Sequence, residues 1–217
     1  IVASMVDQYA KFLSIARDVP WRGDIASLNY ILTSSGWRQE HNGFSHQNPG
    51  FIDDVLQRQR CFTNVYFPAD ANTSLVVIKH MLESKKEINV IACGKRPLPC
   101  WRTLEEAQED LKEGINIWKF ASDDDPHFVF SAAGDYVTKE VMAAISIVKN
   151  EIPDLRIRFV NITSLSALGM GHSGCQILRH DLDYYFTPDK KVTINFHGYP
   201  QTLKQILFDY GVDGERF

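Results

Sequence analysis

Apolar residues at positions 2, 5, 6, 9, 12, 13 and 16 recur at the spacing of one helix face, which predicts a helix over 2–16, with Pro20 as a stop signal. A short apolar run over 25–33 suits a buried strand, and a polar stretch over 34–50 follows it. Strands are then predicted over 63–67, ending at Pro68, and over 88–93, ending at Gly94. A helix over 73–83 lies between them, capped by Asp70 or Asn72 through a short side-chain acceptor. Residues 103–112 form a further helix, with glutamates in its first turn where the helix dipole favours negative charge, and 115–120 form a strand. The run Asp123-Asp124-Asp125-Pro126 interrupts the alternation and reads either as a domain linker or as a solvated loop. Strand 128–132, helix 136–151 and strand 157–162 come next, and after a looser Gly-, Ser- and His-containing region a strand over 192–196 and a helix over 202–210.

Parallel strands need crossover connections, so this βαβα order implies mostly parallel sheets with helices on their faces. The fold class expected is α/β, as two tandem small α/β domains: residues 1–121, a linker at 122–127, and 128–217.

Composition narrows the function classes. The 217 residues are 44% apolar, 12% aromatic and 23% charged, as in ordinary globular proteins, which excludes disorder. A net charge of −4 without any Lys/Arg-rich run argues against a nucleic-acid partner. No apolar stretch approaches the ~20 residues of a membrane span, so no membrane partner is expected. The four cysteines, Cys61, Cys93, Cys100 and Cys175, form no C-x-x-C pair, so they read as reduced thiols of a cytoplasmic protein rather than zinc or thioredoxin sites. The chain opens with Ile-Val-Ala-Ser and nothing at its start resembles a signal peptide, which suggests an excised or processed chain.

Ligands of open α/β sheets sit at the carboxyl ends of strands. Three segments fall there: residues 37–50 (W-R-Q-E-H-N-G-F-S-H-Q-N-P-G), 68–72 (P-A-D-A-N) and 94–99 (G-K-R-P-L-P). The first gathers Gln39, His41, Asn42 and His46. Two histidines in one polar loop suit proton transfer or anion binding, although the same polar residues could bond only their own backbone. His41 and His46 lack metal-ligand spacing, so no metal site is expected in the loop. Lys95, after the Gly94 turn, offers a compact charge for phosphate oxygens, and Arg96 beside it is an alternative. Asp70 needs no role beyond the helix cap.

The run W-R-Q-E-H-N-G-F-S-H-Q-N-P-G-F-I-D-D resembles the signature loop of the phosphoketolases, and P-A-D-A-N, G-K-R-P and the later F-H-G-Y-P (196–200) are similar to that family in order and spacing. More distantly the order of motifs is similar to transketolase. The resemblance implies part of a pyrimidine-binding domain followed by a transketolase-type C-terminal domain. It also implies a lyase that cleaves xylulose 5-phosphate or fructose 6-phosphate with inorganic phosphate, releasing acetyl phosphate and an aldose phosphate. Thiamine diphosphate and Mg2+ would be the cofactors, bound largely by residues beyond this chain, and the parent enzyme would be a homodimer. On that basis His41 and His46 assist proton transfer and dehydration. Gln39 and Asn42 hold reacting oxygens or incoming phosphate, and Lys95 binds the sugar-phosphate end. The matching stretch is an interior piece, expected to be inactive alone, and residues 167–176 depart from the family's pattern. Transketolase-type two-carbon transfer and a non-catalytic assembly module stay open as alternatives.

Overall fold

The computed structural model describes residues 2–33, 50–57, 62–168 and 179–217. Two sheets organise them. The first contains β1 (Leu28–Leu32), β2 (Thr63–Tyr66) and β3 (Ile88–Ala92), all parallel in the order β1-β3-β2. The second contains β4 (Ile115–Ile117), β5 (Phe128–Ala133), β6 (Ile157–Ile162) and β7 (Lys191–Phe196) in the order β4-β6-β5-β7, with β4 antiparallel and the rest parallel. The helices are α1 (Val2–Arg17), α2 (Gly50–Leu56), α3 (Ala71–Glu83), α4 (Leu104–Glu113), α5 (Asp135–Glu151), α6 (Leu165–Leu168), α7 (Arg179–Phe186) and α8 (Pro200–Asp209).

Every residue of the central strand β3 is buried, as expected for a parallel strand covered on both faces. One of them, Asn89, is polar, and its amide sets the register. Asn64 Nδ2 donates to Asn89 Oδ1 at 2.9 Å, and Asn89 Nδ2 donates to Asn29 Oδ1 at 2.9 Å. Asn29 Nδ2 closes the row on the Met81 carbonyl at 2.9 Å. A one-residue slip of any strand would turn its asparagine to the opposite face and leave buried amides unpaired, so the ladder selects one pairing.

Helix ends follow local chemistry. Thr103 and Glu106 form a reciprocal capping box at the start of α4. Gly114 ends that helix at φ +74°, a left-handed conformation costly for other residues, and a Cβ there would stand 2.6 Å from Ala167 Cβ.

The sheets are joined along the edge of β2. Phe67 N donates to the Thr163 carbonyl at 2.7 Å, and Ser166 Oγ accepts from Val65 N at 3.0 Å while donating to the Thr63 carbonyl at 3.1 Å. A single apolar cluster runs through both, from Val6, Leu13, Ile88 and Val90 to Val160, Ile162, Leu165 and Ile206.

Two expectations change. The strand expected over 115–120 is shorter, passes into a single 3-10 turn at Lys119–Ala121, and pairs with β6 of the second sheet rather than belonging to the first unit. Residues 122–127 therefore connect two strands of one sheet. Two of their aspartates are tied to the end of α5 and the start of β6: Asp123 accepts from Ile157 N at 2.9 Å and from Lys149 Nζ at 3.1 Å, and Asp125 pairs with Arg156 at 2.9 Å. Among the described residues no helix is long and apolar enough to cross a membrane.

Candidate active site

The carboxyl ends of the two sheets face each other. Phe67, just after β2, meets Phe196, the last residue of β7, edge to face at 5.2 Å between ring centroids. Gly94, two residues beyond β3, donates its N–H to Asp135 Oδ2 at 2.5 Å, and Asp135 opens α5 directly after β5. Leu32, the end of β1, accepts from Cys93 N at 3.0 Å. The chain thus leaves β1 at Thr33 alongside the Cys93–Lys95 turn.

A cleft of about 520 Å³ opens here, lined by the first turns of α3, by Cys93 and Gly94, by Arg96–Leu98 and by Asp135. Asp70, 2% exposed, works with both carboxylate oxygens. Oδ1 caps α3, accepting from Thr73 N and Thr73 Oγ1 at 2.8 Å each. Oδ2 accepts from Trp101 N at 2.7 Å and Arg102 N at 2.8 Å. Asn72, the alternative cap residue, lies inside the helix and donates to the Arg102 carbonyl at 2.7 Å. Helix capping is therefore only half of the function of Asp70, which also clamps the Trp101–Arg102 strap.

Beneath that strap Arg102 forks onto buried Asp110, Nε to Oδ2 at 2.8 Å and Nη2 to Oδ1 at 3.0 Å, and its guanidinium lies over the Trp118 ring. Burial pushes the Asp110 carboxyl above its ordinary range, and the Arg102 bonds and charge work against that shift.

Asp135 is also buried, and desolvation raises its carboxyl pKa against the opposing pull of the Gly94 and Tyr136 amides. The Cys93 thiol is raised by burial and then by the Asp135 charge. The cleft wall combines two buried carboxylates, Asp70 and Asp135, with the basic side chain of Arg96. Among the described residues no cluster of three or more His, Cys, Asp or Glu is placed to hold a metal ion.

Of the residues singled out in the sequence, Gln39, His41, Asn42 and His46 lie outside the described residues. Lys95 is exposed on the turn after β3, and its neighbour Arg96 is the basic residue on the cleft wall. Sequence reasoning missed Asp135. Its signal was positional: Gly134-Asp135 follows a strand's carboxyl end, as the other candidate segments do.

This arrangement of facing α/β units is the transketolase fold. The chain matches a transketolase variant from Pichia stipitis with a TM-score of 0.57 at 15% identity, over 86% of this chain and 31% of that one. A transketolase from Leishmania mexicana gives 0.53 at 15% identity, over 76% and 22%. Within that class the sequence is more specific. Residues 1–84 match the family model for D-xylulose 5-phosphate/D-fructose 6-phosphate phosphoketolase, and residues 95–215 match that family's C-terminal domain. The chain is 45% identical over 212 residues to a "Probable phosphoketolase" of Mesorhizobium japonicum, covering 96% of this chain and 26% of that protein. Against "Probable phosphoketolase 1" of Rhizobium meliloti it is 42% identical over 212 residues, covering 96% and 27%. The chain belongs to the phosphoketolase family, and it spans about a quarter of the length of the curated relatives it matches.

Proposed function

We propose that this chain is the part of a thiamine-diphosphate-dependent phosphoketolase that presents substrate-facing loops. The full enzyme cleaves xylulose 5-phosphate, fructose 6-phosphate or both with inorganic phosphate, giving acetyl phosphate and an aldose phosphate. The carrying observation is the adjacency of Leu32 and Cys93: the segment bearing the two histidines leaves the sheet beside the basic turn, at the strand ends where α/β ligands bind.

In this reading His41 and His46 contact substrate hydroxyls and move protons during dehydration. Gln39 and Asn42 hold reacting oxygens or incoming phosphate by neutral hydrogen bonds, and Lys95 takes the sugar-phosphate end. The described residues do not fit the cofactor's metal and diphosphate, because no metal-ligating cluster is present among them and both cleft carboxylates are occupied by donors of the chain itself. Mg2+ and the diphosphate are assigned to other parts of the enzyme, and no step is derived through them. We place the division between the two units between β3 and β4, and regard the full enzyme as a cytoplasmic homodimer.

The test is acetyl phosphate formation, trapped as the hydroxamate, by the full-length polypeptide that contains this chain and by the 217-residue chain alone. Phosphate-dependent acetyl phosphate from the former and none from the latter is expected. Two-carbon transfer to an aldose phosphate without acetyl phosphate would make the enzyme a transketolase. Neither activity would leave an assembly module.

A further inference from the structure

We infer that Asp135, from the second sheet's unit, is a positioning residue for the basic turn Gly94–Arg96 of the first, and so sets how that turn meets a sugar phosphate; the last clause rests on the function proposed above.

Several observations converge on it. Asp135 lies one residue beyond Gly134, at the start of α5, where a carboxylate would ordinarily serve its own helix's free amides. Only Oδ1 does so, accepting from Tyr136 N at 2.7 Å. Oδ2 reaches across to the other sheet and takes the Gly94 N–H at 2.5 Å. Asp135 is 6% exposed, and its carboxylate is bonded among the described residues to backbone amides at both oxygens, which fixes its geometry. A buried carboxylate held this way is costly, and one turn of chain receives the benefit.

Gly94 is fitted to the same contact. A Cβ there would stand 2.6 Å from Tyr136 Cε2 and 2.9 Å from Asp135 Oδ2, so only glycine lets the turn approach α5 closely enough for the bond. Lys95 follows directly, exposed, and Arg96 follows it on the cleft wall. A bond at residue 94 restricts where both basic side chains can begin. The start of α5 is itself steadied against the first sheet, because Gly134 packs by Phe67, which is held by the Thr163 carbonyl. Asp135 therefore transmits the placement of one unit to the substrate-facing turn of the other. Preorganisation of this kind favours binding by lowering the ordering cost of the turn.

The test uses the full-length polypeptide with Asp135→Asn. An amide side chain has one acceptor oxygen and presents its NH2 to the second N–H, so it cannot satisfy Gly94 and Tyr136 together. Hydrogen exchange in the peptide spanning Gly94 is expected to accelerate by about tenfold or more, with the β6 peptide unchanged. KM for the ketose phosphate is expected to rise by about three- to tenfold with kcat little altered, and that rise should vanish in a Lys95→Ala, Arg96→Ala background, because nothing is left to position. Asp125→Asn, at the opposite end of β5, should leave both readouts alone. Should Asp135→Asn fail to fold, Gly94→Ala displaces the same turn from the other side and is read identically.

Unchanged exchange at Gly94 overturns the tether. Faster exchange with an unchanged KM, or with an equal loss of kcat in both backgrounds, overturns the positioning role and leaves a structural bond. If the unmodified polypeptide makes no acetyl phosphate, it is the phosphoketolase reading that fails, and the exchange result alone still decides the tether.

Discussion

Replacing Asp70 separates its two tasks. In Asp70→Ser a short oxygen still caps α3 but cannot reach Trp101 N and Arg102 N, which Oδ2 holds at 2.7 and 2.8 Å. Each hydrogen bond to a charged acceptor contributes about 1.5–3 kcal/mol, so the pair sets an upper bound of about 3–6 kcal/mol. Trp101 and Arg102 are half-buried, and water can take over part of the role. The expected local loss is therefore about 2–4 kcal/mol, or about 30- to 1000-fold in the opening equilibrium at 1.4 kcal/mol per decade. Asp70→Ala adds about 1 kcal/mol for the missing cap, felt at Thr73. Hydrogen-exchange mass spectrometry on the full-length polypeptide checks this with two peptides, one spanning 100–103 and one spanning 70–74. The serine variant should accelerate the first strongly and the second little, whereas alanine should accelerate both. Wild-type exchange at Trp101 and Arg102 in the serine variant would refute the clamp, and equal behaviour of serine and alanine at both peptides would show that the cap alone matters.

Three further outcomes are expected. His46→Asn in the full-length polypeptide should lower kcat by about 10²–10⁴-fold with thiamine diphosphate affinity retained, and a wild-type kcat would make His46 structural. Lys95→Ala should raise KM for ketose phosphate by about ten- to a hundredfold with kcat less affected; a change confined to inorganic phosphate would move Lys95 to the acceptor site. The Asp123 carboxyl is held low, first by the Ile157 amide and then by Lys149, so its stabilisation is present above its ordinary value of 3.8 and is lost as pH falls through the lowered value. The destabilisation caused by Asp123→Asn should therefore shrink in acid, while Asp135, raised by burial, favours the fold below 3.8 and loses that effect as pH rises through its raised value. Urea unfolding of both variants against pH should show slopes of opposite sign relative to wild type.

Much of the fold was legible because its signals are local. The apolar spacing of α1, the first-turn glutamates of α4 and the acceptor at Asp70 act within four residues of themselves, and all three helices are formed. What escaped depends on distant partners. Ile115–Ile117 looks like any short strand, and only pairing with Val160–Ile162 assigns it to the second sheet. Three consecutive aspartates followed by proline suggested a linker, since nothing nearby shows that Asp123 will receive an amide 34 residues later. Helix α2 was hidden by the long polar stretch before it, although Ile52, Val55 and Leu56 already form a buried helical face. The same division applies to the cleft. Lys95 could be singled out from its place after a strand, whereas Asp135 acts on a backbone N–H 41 residues away, and a backbone N–H has no identity to read.

That distinction bears on how the family's two parts relate. The matched regions, 1–84 and 95–215, leave residues 85–94 between them, and those residues carry β3. Among the described strands β3 alone pairs with both β1 and β2, and its Asn89 joins their asparagines into one row. The turn that leaves it is the one Asp135 holds. A division drawn at the edges of sequence similarity would thus remove the strand on which the first sheet depends and the bond by which the second sheet steers the cleft. The stretch between the two matched regions is where packing and function are most closely joined, because one short strand completes a sheet and then delivers its turn to the facing one.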